Sequence, residues 1–430
     1  MQSSGLMIAA PNSGSGKTVA TLALLAALRA RGIDIRAAKA GPDYIDPAFH
    51  EAACGQASVN LDPWAMNADR LRQLAARQGG THLLVEAMMG LFDGAADGRG
   101  SADDLAVMLK LPVVLVIDAA KQSHSVAALA RGFRDHREDV NIAGVILNRV
   151  AGARHETMLR EALAAINLLV LGAIPRSDDL QLPERHLGLV QARENDALAE
   201  FITRAAKCVG VAIDIDALLA IFAPLPVAEN HAQRWLPPLG QRIAIARDDA
   251  FSFVYPHWLT DWRNAGTELS FFSPLADEAP ASDADAIFLP GGYPELHGER
   301  LASANAFRKA MQSAAAYGVR IYGECGGYMV LGRGIEDADG HRHAMLGLLD
   351  LETSFARRKL HLGYRRVTAI GEFPLGARFT AHEFHYSTVL REDGEALFMA
   401  RGSDGADLGG LGIRCGSVCG SYLHLIDAAA

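Results

Sequence analysis

The stretch Val319-Arg-Ile-Tyr-Gly-Glu-Cys-Gly-Gly-Tyr-Met-Val-Leu331 has the pattern of a buried strand, a sharp turn and the start of a helix. Glycines on both sides of Cys325 permit a tight turn and a close approach of neighbouring backbone. The turn would present the thiol near the start of the helix, where amides and the helix dipole favour a thiolate. A lone cysteine is more often a small buried apolar residue. The flanking glycines favour a nucleophile instead.

Two other segments supply candidate partners for this thiol. The apolar run at residues 285–295 ends in Gly291 and Gly292, whose backbone amides could point at a developing oxyanion. A plain turn at the end of a strand is the alternative. Near the C-terminus, Gly-Ser-Tyr-Leu-His-Leu-Ile at residues 420–426 contains His424, a candidate general base for the thiol. A single histidine would otherwise be a packing or surface residue.

Together these three segments resemble a class I (triad) glutamine amidotransferase domain. In that family the cysteine attacks the side-chain amide of glutamine, forms a glutamyl thioester and releases ammonia. The usual family member has a glutamate two residues after the histidine, and here that position is Ile426. Asp427 follows, but strand alternation sends it to the other side. The resemblance therefore implies that the third triad group is absent or comes from elsewhere, a feature of the cobyrinate-type amidotransferases.

Length and composition predict two domains in a cytoplasmic protein. The 430 residues, half of them hydrophobic, divide into residues 1–222, a proline-rich linker at 223–240 and residues 241–430. The net charge of −9 without long basic runs argues against nucleic acid or an anionic membrane as a partner. Five scattered cysteines, no recognisable secretory signal and no apolar run of transmembrane length indicate the cytoplasm. The sequence leaves open whether the protein forms a homodimer.

The N-terminal half begins with a phosphate-binding pattern. A short apolar strand runs into Pro11-Asn-Ser-Gly-Ser-Gly-Lys-Thr18, and a helix follows to about Arg31. In this order, the amides from Gly14 through Ser15 and Gly16 to Lys17 can surround the phosphates of ATP. The Lys17 ammonium can reach the β and γ oxygens, and the Thr18 hydroxyl can bind Mg²⁺. Pro11 replaces the usual first glycine, and such variants resemble the dethiobiotin-synthetase-like branch of P-loop enzymes.

Carboxylates follow two further strands of this half. Asp43 and Asp46 lie beyond a strand that starts near Ile35, where α/β sheets bind ligands. Glu86 ends another strand, and a glutamate there is costly unless it is paired or binds a metal. These carboxylates could hold Mg²⁺ together with the Thr18 hydroxyl. Ordinary turn chemistry is the alternative for the aspartates.

Continuous apolar runs at residues 112–118, 142–149 and 168–175 are typical of central parallel strands. They alternate with helical stretches, so we expect an α/β domain with a parallel sheet covered on both faces. Asn148 ends one of these runs and is placed to meet a nucleobase.

Four segments together resemble the cobyrinic acid / hydrogenobyrinic acid a,c-diamide synthase family: residues 42–46, 85–94, 147–150 and 184–189. The resemblance covers nearly the whole chain. It implies an ATP- and glutamine-dependent amidation of the a and c acetate side chains of a corrin-ring precursor of cobalamin. It implies a dethiobiotin-synthetase-like P-loop domain joined to the amidotransferase domain, both α/β, with small-molecule substrates and Mg²⁺.

The same resemblance implies roles for individual residues. Asp43 and Glu86 would be metal ligands beside Thr18. Tyr44, Asp46 and Asp93 would line the site for the tetrapyrrole or its acyl phosphate.

Alternatives remain at this point. One is a related amidase that acts on another ring, of the cobyric acid synthase or nickel-sirohydrochlorin a,c-diamide synthase type. Another is a P-loop regulator that carries an inactive amidotransferase domain. A zinc protease site at His382-Glu-Phe-His385 is rejected, because the spacing differs from His-Glu-x-x-His.

Overall fold

The computed structural model describes residues 3–177, 180, 184–185, 188–189, 191–194, 197–228 and 236–429. The chain divides into two compact units, Met1–Ala232 and Gln233–Ala430. Residues 229–235 of the expected linker, and residues 186–187 of the family segment at 184–189, lie outside the described residues. Along the described part of the chain, no helix combines the length and the apolar character that crossing a membrane requires.

The described strands of the first unit are β1 (Ser4–Ala9), β2 (Ile35–Ala40), β3 (Val59–Leu61), β4 (His82–Glu86), β5 (Val113–Asp118), β6 (Ile142–Val150), β7 (Val170–Pro175), β8 (Glu184–Arg185), β9 (Gly188–Leu189) and β10 (Ala223–Pro224). Its described α-helices are α1 (Lys17–Ala30), α2 (Asp46–Cys54), α3 (Ala68–Arg77), α4 (Ala102–Leu109), α5 (Ser125–Asp135), α6 (Ala153–Ala164), α7 (Leu198–Ala212) and α8 (Ile215–Ile221).

Strands β1 to β7 form one parallel sheet in the order β3-β2-β4-β1-β5-β6-β7. Its strands are buried along most of their length, as their continuous apolar runs predicted. Helices α1 and α7 pack together and contribute Leu22, Leu25 and Phe201 to the core. The sheet confirms the predicted parallel α/β architecture. It also places the ends of β1, β2 and β4, with their polar loops, along one edge.

Strand β10 adds an antiparallel neighbour to the central strand β1. Ser4 pairs with Pro224 and Gly5 with Ala223, and the Leu225 amide donates to the Ser3 carbonyl at 2.9 Å. The first residues of the expected linker therefore extend the sheet of the first unit.

The second unit contains the strands β11 (Arg242–Ala246), β12 (Glu268–Phe272), β13 (Ala286–Leu289), β14 (Arg320–Glu324), β15 (Gly334–Glu336), β16 (Arg342–Ala344), β17 (Asp350–Ser354), β18 (His361–Ala369), β19 (Arg378–His385), β20 (Thr388–Asp393), β21 (Glu395–Gly402), β22 (Asp407–Cys415), β23 (Val418–Ser421) and β24 (Leu423–Ala428). Its α-helices are α9 (Pro256–Asn264), α10 (Gly298–Ser303), α11 (Asn305–Ala316) and α12 (Gly326–Leu331).

Ten of these strands form a mixed sheet in the order β12-β11-β13-β14-β23-β22-β21-β18-β19-β24. The part from β12 to β23 is parallel and the rest is antiparallel. Strands β16-β15-β17-β20 form a smaller sheet. Stacked aromatic rings of Trp258, Phe288 and Tyr322 fill one face of the parallel part. Strand β14 leads straight into α12, as the opening stretch of sequence predicted.

The packing of β7 against the end of α7 gives a test of the first unit. A Cβ added to Gly172 would overlap the carbonyl oxygen of Ala212 and come within 2.8 Å of the Ile213 backbone. We expect Gly172→Ala to lower the free energy of unfolding of this unit by about 1–3 kcal/mol. Urea denaturation, followed by far-UV circular dichroism, measures the change.

The control is Gly210→Ala, where a Cβ meets no atom within 4 Å and the residue lies inside a helix. Alanine there should raise the free energy of unfolding, by up to about 1 kcal/mol. Equal stability of the two variants would contradict the close packing at Gly172.

Candidate functional site

The phosphate-binding pattern forms the loop between β1 and α1. Gly14 and Gly16 have φ values of 80° and 88°, in the left-handed region that glycine adopts without strain. The Ser15 hydroxyl donates to the Asn12 carbonyl at 2.9 Å, and helix α1 begins at Lys17. Strand, loop and helix therefore follow in the predicted order, with loop residues Gly14 to Gly16 just before the helix N-terminus.

The end of β6 braces this loop. The Asn148 side-chain amide donates to the Ser15 carbonyl at 2.9 Å, and the Arg149 guanidinium donates to the Gly14 carbonyl at 2.9 Å. A Cβ on Gly16 would overlap the Asn148 amide. Asn148 thus fixes the shape of the loop. A contact with a nucleobase remains a prediction.

A buried polar cluster lies behind the loop, at the ends of β2 and β4. Glu86 is fully buried, and its Oε1 accepts hydrogen bonds from the Thr18 hydroxyl at 2.6 Å and the Lys39 ammonium at 3.1 Å. Its Oε2 lies 2.7 Å from Nε2 of His50, and Lys39 also pairs with Asp46 at 2.5 Å. The fold brings Thr18, Asp46 and Glu86 into one cluster, and the metal role of Thr18, Asp43 and Glu86 stays a prediction.

Sequence reasoning missed Lys39 and His50. The signal for Lys39 was a charged residue near the end of a strand and flanked by alanines, Ile-Arg-Ala-Ala-Lys-Ala. Such a charge is costly unless partners surround it. His50 gave no comparable signal, because its partners Glu86 and Ser58 come from distant parts of the chain.

The charges of this cluster are coupled. Burial opposes the charge on Glu86, but Lys39 and His50 hold the pKa of that carboxyl well below its usual range. Burial alone would lower the pKa of Lys39, but the carboxylates of Asp46 and Glu86 raise it above its usual range. Burial, and then the neighbouring Lys39, lower the pKa of the Lys17 ammonium to about 8. A polyphosphate beside Lys17 would restore its charge.

The remaining predicted residues of this half lie in the adjacent loops. Asp43 accepts from the amides of Ile45 and Asp46 at 2.7 and 2.9 Å, at the start of α2. The Asp93 carboxylate accepts from the Gly90 amide at 2.8 Å, and Tyr44 is half-buried. Hydroxyl and carboxylate oxygens are the donors that Mg²⁺ prefers, so this set fits the ion chemically. Both oxygens of Glu86 are already hydrogen-bonded, so an ion would compete with Lys39 and His50.

In the second unit, Cys325 occupies the turn between β14 and α12. Its φ of 46° and ψ of −107° lie outside the regions that non-glycine residues usually adopt, and its amide donates to the Ser421 carbonyl at 2.8 Å. A Cβ on Gly327 would overlap the Leu289 carbonyl oxygen. The strained turn and the close approach of backbone explain why glycines follow the cysteine.

His424 and the glycine pair lie against Cys325. His424 is buried in β24, opposite His382 of β19. A Cβ on Gly291 would overlap Cε1 of His424 and lie 3.3 Å from Cβ of Cys325, and a Cβ on Gly326 would lie 3.0 Å from the Gly292 nitrogen. The fold therefore brings together the four residues that the sequence singled out in this half.

The group next to His424 is one that the sequence analysis did not consider. Glu324, which precedes Cys325, has its Oε2 3.8 Å from Nδ1 of His424, and both side chains are 2% exposed. Its Oε1 accepts from the Tyr322 hydroxyl at 3.0 Å and from the Leu425 amide at 3.1 Å. The only sequence signal was a carboxylate at the end of a buried strand.

Burial makes this site neutral. It raises the pKa of the Glu324 carboxyl to about 8 and lowers the pKa of His424 to about 3. Burial, followed by the nearby Glu295 carboxylate, raises the pKa of the Cys325 thiol well above its usual range. The expectation of a thiol activated by the helix N-terminus was therefore wrong for the substrate-free site. Helix α12 has six residues, and desolvation outweighs its short dipole.

A pocket of about 340 Å³ opens beside these strands, lined by His361, Glu383, His385 and Tyr422 among others. Arg365 donates to Glu383 at 3.0 Å, and the rings of His361 and His385 stack at 4.6 Å with an angle of 5°. His361, Glu383 and His385 place their ligand atoms within 4.8 Å of one another, a grouping that could hold a metal ion. The rejection of a zinc protease site at residues 382–385 rests on the sequence spacing and stays a prediction.

The neutral thiol gives a prediction for alkylation. We expect iodoacetamide labelling of Cys325, followed by peptide mass spectrometry, to rise about tenfold per pH unit from pH 7 to 10 without a plateau. The reason is that only the thiolate reacts, and a raised pKa keeps the thiolate scarce throughout this range. The exposed Cys415, labelled in the same sample, serves as the internal control that the reagent is active at each pH. A plateau for Cys325 below pH 8 would contradict the neutral site.

Two family models match the chain. Residues 6–190 match the CobQ/CobB/MinD/ParA nucleotide binding domain. Residues 242–429 match the CobB/CobQ-like glutamine amidotransferase domain. The phosphate-binding loop lies in the first match, and Cys325 and His424 lie in the second. The first half is therefore an ATP-binding P-loop domain, as predicted.

Relatives match over nearly the whole length. A protein of Brucella abortus named hydrogenobyrinate a,c-diamide synthase is 58% identical over 430 residues, with 98% of each chain covered. A protein of that name from Rhizobium meliloti is 58% identical over 426 residues, covering 98% of this chain and 99% of the relative. One from Rhodobacter capsulatus is 50% identical over 430 residues, with 98% of each covered. The resemblance found in the sequence is confirmed, and the chain belongs to the hydrogenobyrinate a,c-diamide synthase family.

Proposed function

We propose that this enzyme amidates the a and c side-chain carboxylates of hydrogenobyrinic acid, with ATP and glutamine as co-substrates, in cobalamin biosynthesis. The observation that carries the proposal is the presence, in one chain, of a braced phosphate loop and a cysteine–histidine site. The name that the relatives carry, hydrogenobyrinate a,c-diamide synthase, supports the ring substrate. Cobyrinic acid, the corresponding cobalt-containing ring, is the alternative substrate.

In the first unit, a carboxylate of the ring would attack the γ-phosphorus of ATP, and ADP would leave. A bare carboxylate is a poor electrophile, and the acyl phosphate provides a leaving group. Lys17 and the amides of Gly14, Ser15 and Gly16 would hold the phosphates and spread their charge. Ammonia would then attack the acyl carbon and expel inorganic phosphate.

We propose Thr18, Asp43 and Glu86 as ligands for Mg²⁺. Held by these oxygens, the ion would supply positive charge that offsets the charge of the phosphates. Support comes from the 2.6 Å contact between Thr18 and Glu86 and from the position of Asp43 at the start of α2. Lys39 would then keep its pairing with Asp46 when Glu86 binds the ion.

We also propose that Tyr44, Asp46 and Asp93 line the site for the ring substrate, and that Asn148 approaches the nucleobase. Support comes from their loops, which flank the phosphate loop. The start of the second domain at residue 241, a homodimer and a cytoplasmic location are proposals of the same kind, whereas the boundary at residue 222 is set aside because β10, which begins at Ala223, pairs with β1. Reduced cysteines and the use of ATP and glutamine support the cytoplasm.

In the second unit, Sγ of Cys325 would attack the side-chain amide carbon of glutamine. His424 would accept the thiol proton and deliver it to the leaving ammonia. The amides near Gly291 and Gly292 would stabilise the oxyanion, and water would then hydrolyse the thioester to glutamate. Because the substrate-free site is neutral, we expect glutamine use to depend on bound ATP and ring substrate.

The first test is the mass of the product. We expect incubation with ATP, Mg²⁺, glutamine and hydrogenobyrinic acid to convert two carboxyl groups of the ring to amides. Cobyrinic acid, in a parallel reaction, should change less. Two amidations of cobyrinic acid alone would move the substrate to the cobalt-containing ring. No change on either ring, with ATP still hydrolysed, would contradict the proposal.

The second test separates the two sites. We expect Cys325→Ser to abolish amidation from glutamine, because the serine hydroxyl is a far weaker nucleophile, and to retain amidation from ammonium salts. Exposed Cys415→Ser is the matched control and should retain both reactions. A regulator with an inactive second domain would show no amidation before or after the change. Loss of both reactions in Cys325→Ser alone would contradict separate sites.

A further inference from the structure

We infer that Glu324 is the positioning residue for His424, in place of the glutamate that the strand of His424 lacks. The inference rests on the proposed roles of Cys325 and His424 in glutamine hydrolysis. It assigns the third member of the site to the residue directly before the nucleophile.

The contact has the right partners and the right environment. Oε2 of Glu324 lies 3.8 Å from Nδ1 of His424, and both side chains are 2% exposed. This distance is longer than a hydrogen bond. Contacts of this kind are often long in substrate-free sites and shorten in the reactive complex. Because water is largely excluded from both groups, an ionised carboxylate there would act strongly on the imidazole.

The carboxyl group is held in place by its other oxygen. Oε1 accepts from the Tyr322 hydroxyl, on the same strand, and from the Leu425 amide. Leu425 follows His424 directly on β24. The carboxyl group is therefore tied to the backbone that carries the histidine, which fixes its position relative to the imidazole.

Other carboxylates near His424 are less well placed. The expectation that Asp427 lies on the other side of β24 was wrong, because a bulge pairs Asp427 with Thr380, two residues from His382 on β19, and so returns it to the face of His424. Its Oδ1 accepts from the Ala428 amide. Glu383, on β19, uses one oxygen for Arg365 at 3.0 Å and the other for His385 at 3.1 Å.

The chemistry that Glu324 would supply concerns one proton. A carboxylate at Nδ1 accepts the Nδ1–H bond and leaves the other ring nitrogen free to take the thiol proton. A protonated carboxyl would donate to Nδ1 instead and favour the opposite tautomer. His382, Glu383 and His385 also face the imidazole and act on its charge. The Glu324 carboxyl lies on the Nδ1 side of the ring.

The test compares Glu324→Gln with Glu324→Asp and with Glu392→Gln. Glu392 is a matched control, because its exposed carboxylate also accepts a tyrosine hydroxyl, that of Tyr328 at 2.5 Å. Glutamate release and ring amidation are measured with glutamine, and amidation is also measured with ammonium. We expect Glu324→Gln to lower kcat for glutamine by about 100-fold or more, with KM nearly unchanged.

Three further results are expected. Amidation from ammonium stays at the parental level in Glu324→Gln, Glu324→Asp restores part of the glutamine reaction, and Glu392→Gln behaves like the parent. The glutamine reaction of the parent rises with pH as Glu324 ionises, and Glu324→Gln loses that rise.

Glutamine-dependent kcat within threefold of the parent in Glu324→Gln would overturn the inference. A larger loss in Glu383→Gln than in Glu324→Gln would reassign the role.

A second measurement does not depend on catalysis. Nitrogen-15 NMR of labelled histidine, read at high pH where the carboxyl is ionised, reports which nitrogen of His424 carries the proton. We expect Nδ1–H in the parent and a mixture of tautomers in Glu324→Gln. Identical histidine spectra for the parent and Glu324→Gln would overturn the inference, and this measurement does not require an active variant. If the ring substrate proves to be another polycarboxylate, glutamate release and the tautomer still decide the role of Glu324.

Discussion

A carboxyl group buried at the end of a central parallel strand must either find cations or keep its proton, and this constraint governs both sites. Glu86 ends β4 and Glu324 ends β14, and each is almost completely buried. Glu86 meets Lys39 and His50 and stays ionised. Glu324 meets a hydroxyl and an amide, which do not compensate for a full charge, and burial raises its pKa. The same position in the fold thus gives opposite protonation states.

This difference suits the chemistry of each unit. A fixed charge network behind the phosphate loop keeps Lys39 and Glu86 in one arrangement, so that the phosphates of ATP meet preorganised groups. The cysteine site holds a thiol, a neutral imidazole and a neutral carboxyl. Under the proposed roles of Cys325 and His424, such a site would limit wasteful hydrolysis of glutamine at the cost of a slower first proton transfer.

The sequence was sufficient where function depends on local pattern. Glycines beside Cys325, the Gly-Lys-Thr of the loop and the apolar runs of β5 and β6 predicted the strand–turn–helix units and the parallel sheet. It was insufficient where partners come from distant segments. The roles of Lys39, His50 and Glu324 depend on partners from distant segments. Lys39 and His50 meet Glu86, and Glu324 meets His424, only in the folded protein. The thiol pKa was also wrongly expected, because local helix geometry says nothing about how deeply the surrounding sheet buries a side chain.

The antiparallel pairing of β10 with β1 has a consequence for how the two halves can be separated. Ala223 and Pro224 lie against Ser4 and Gly5, and Leu225, which is 5% exposed, covers Gly5. A first unit cut after residue 222 would leave an open edge and an uncovered apolar patch on the strand that leads into the phosphate loop. A gene fragment that encodes this half as an independent protein must therefore extend past Leu225. The boundary between the two halves thus lies inside the proline-rich linker and not at its first residue.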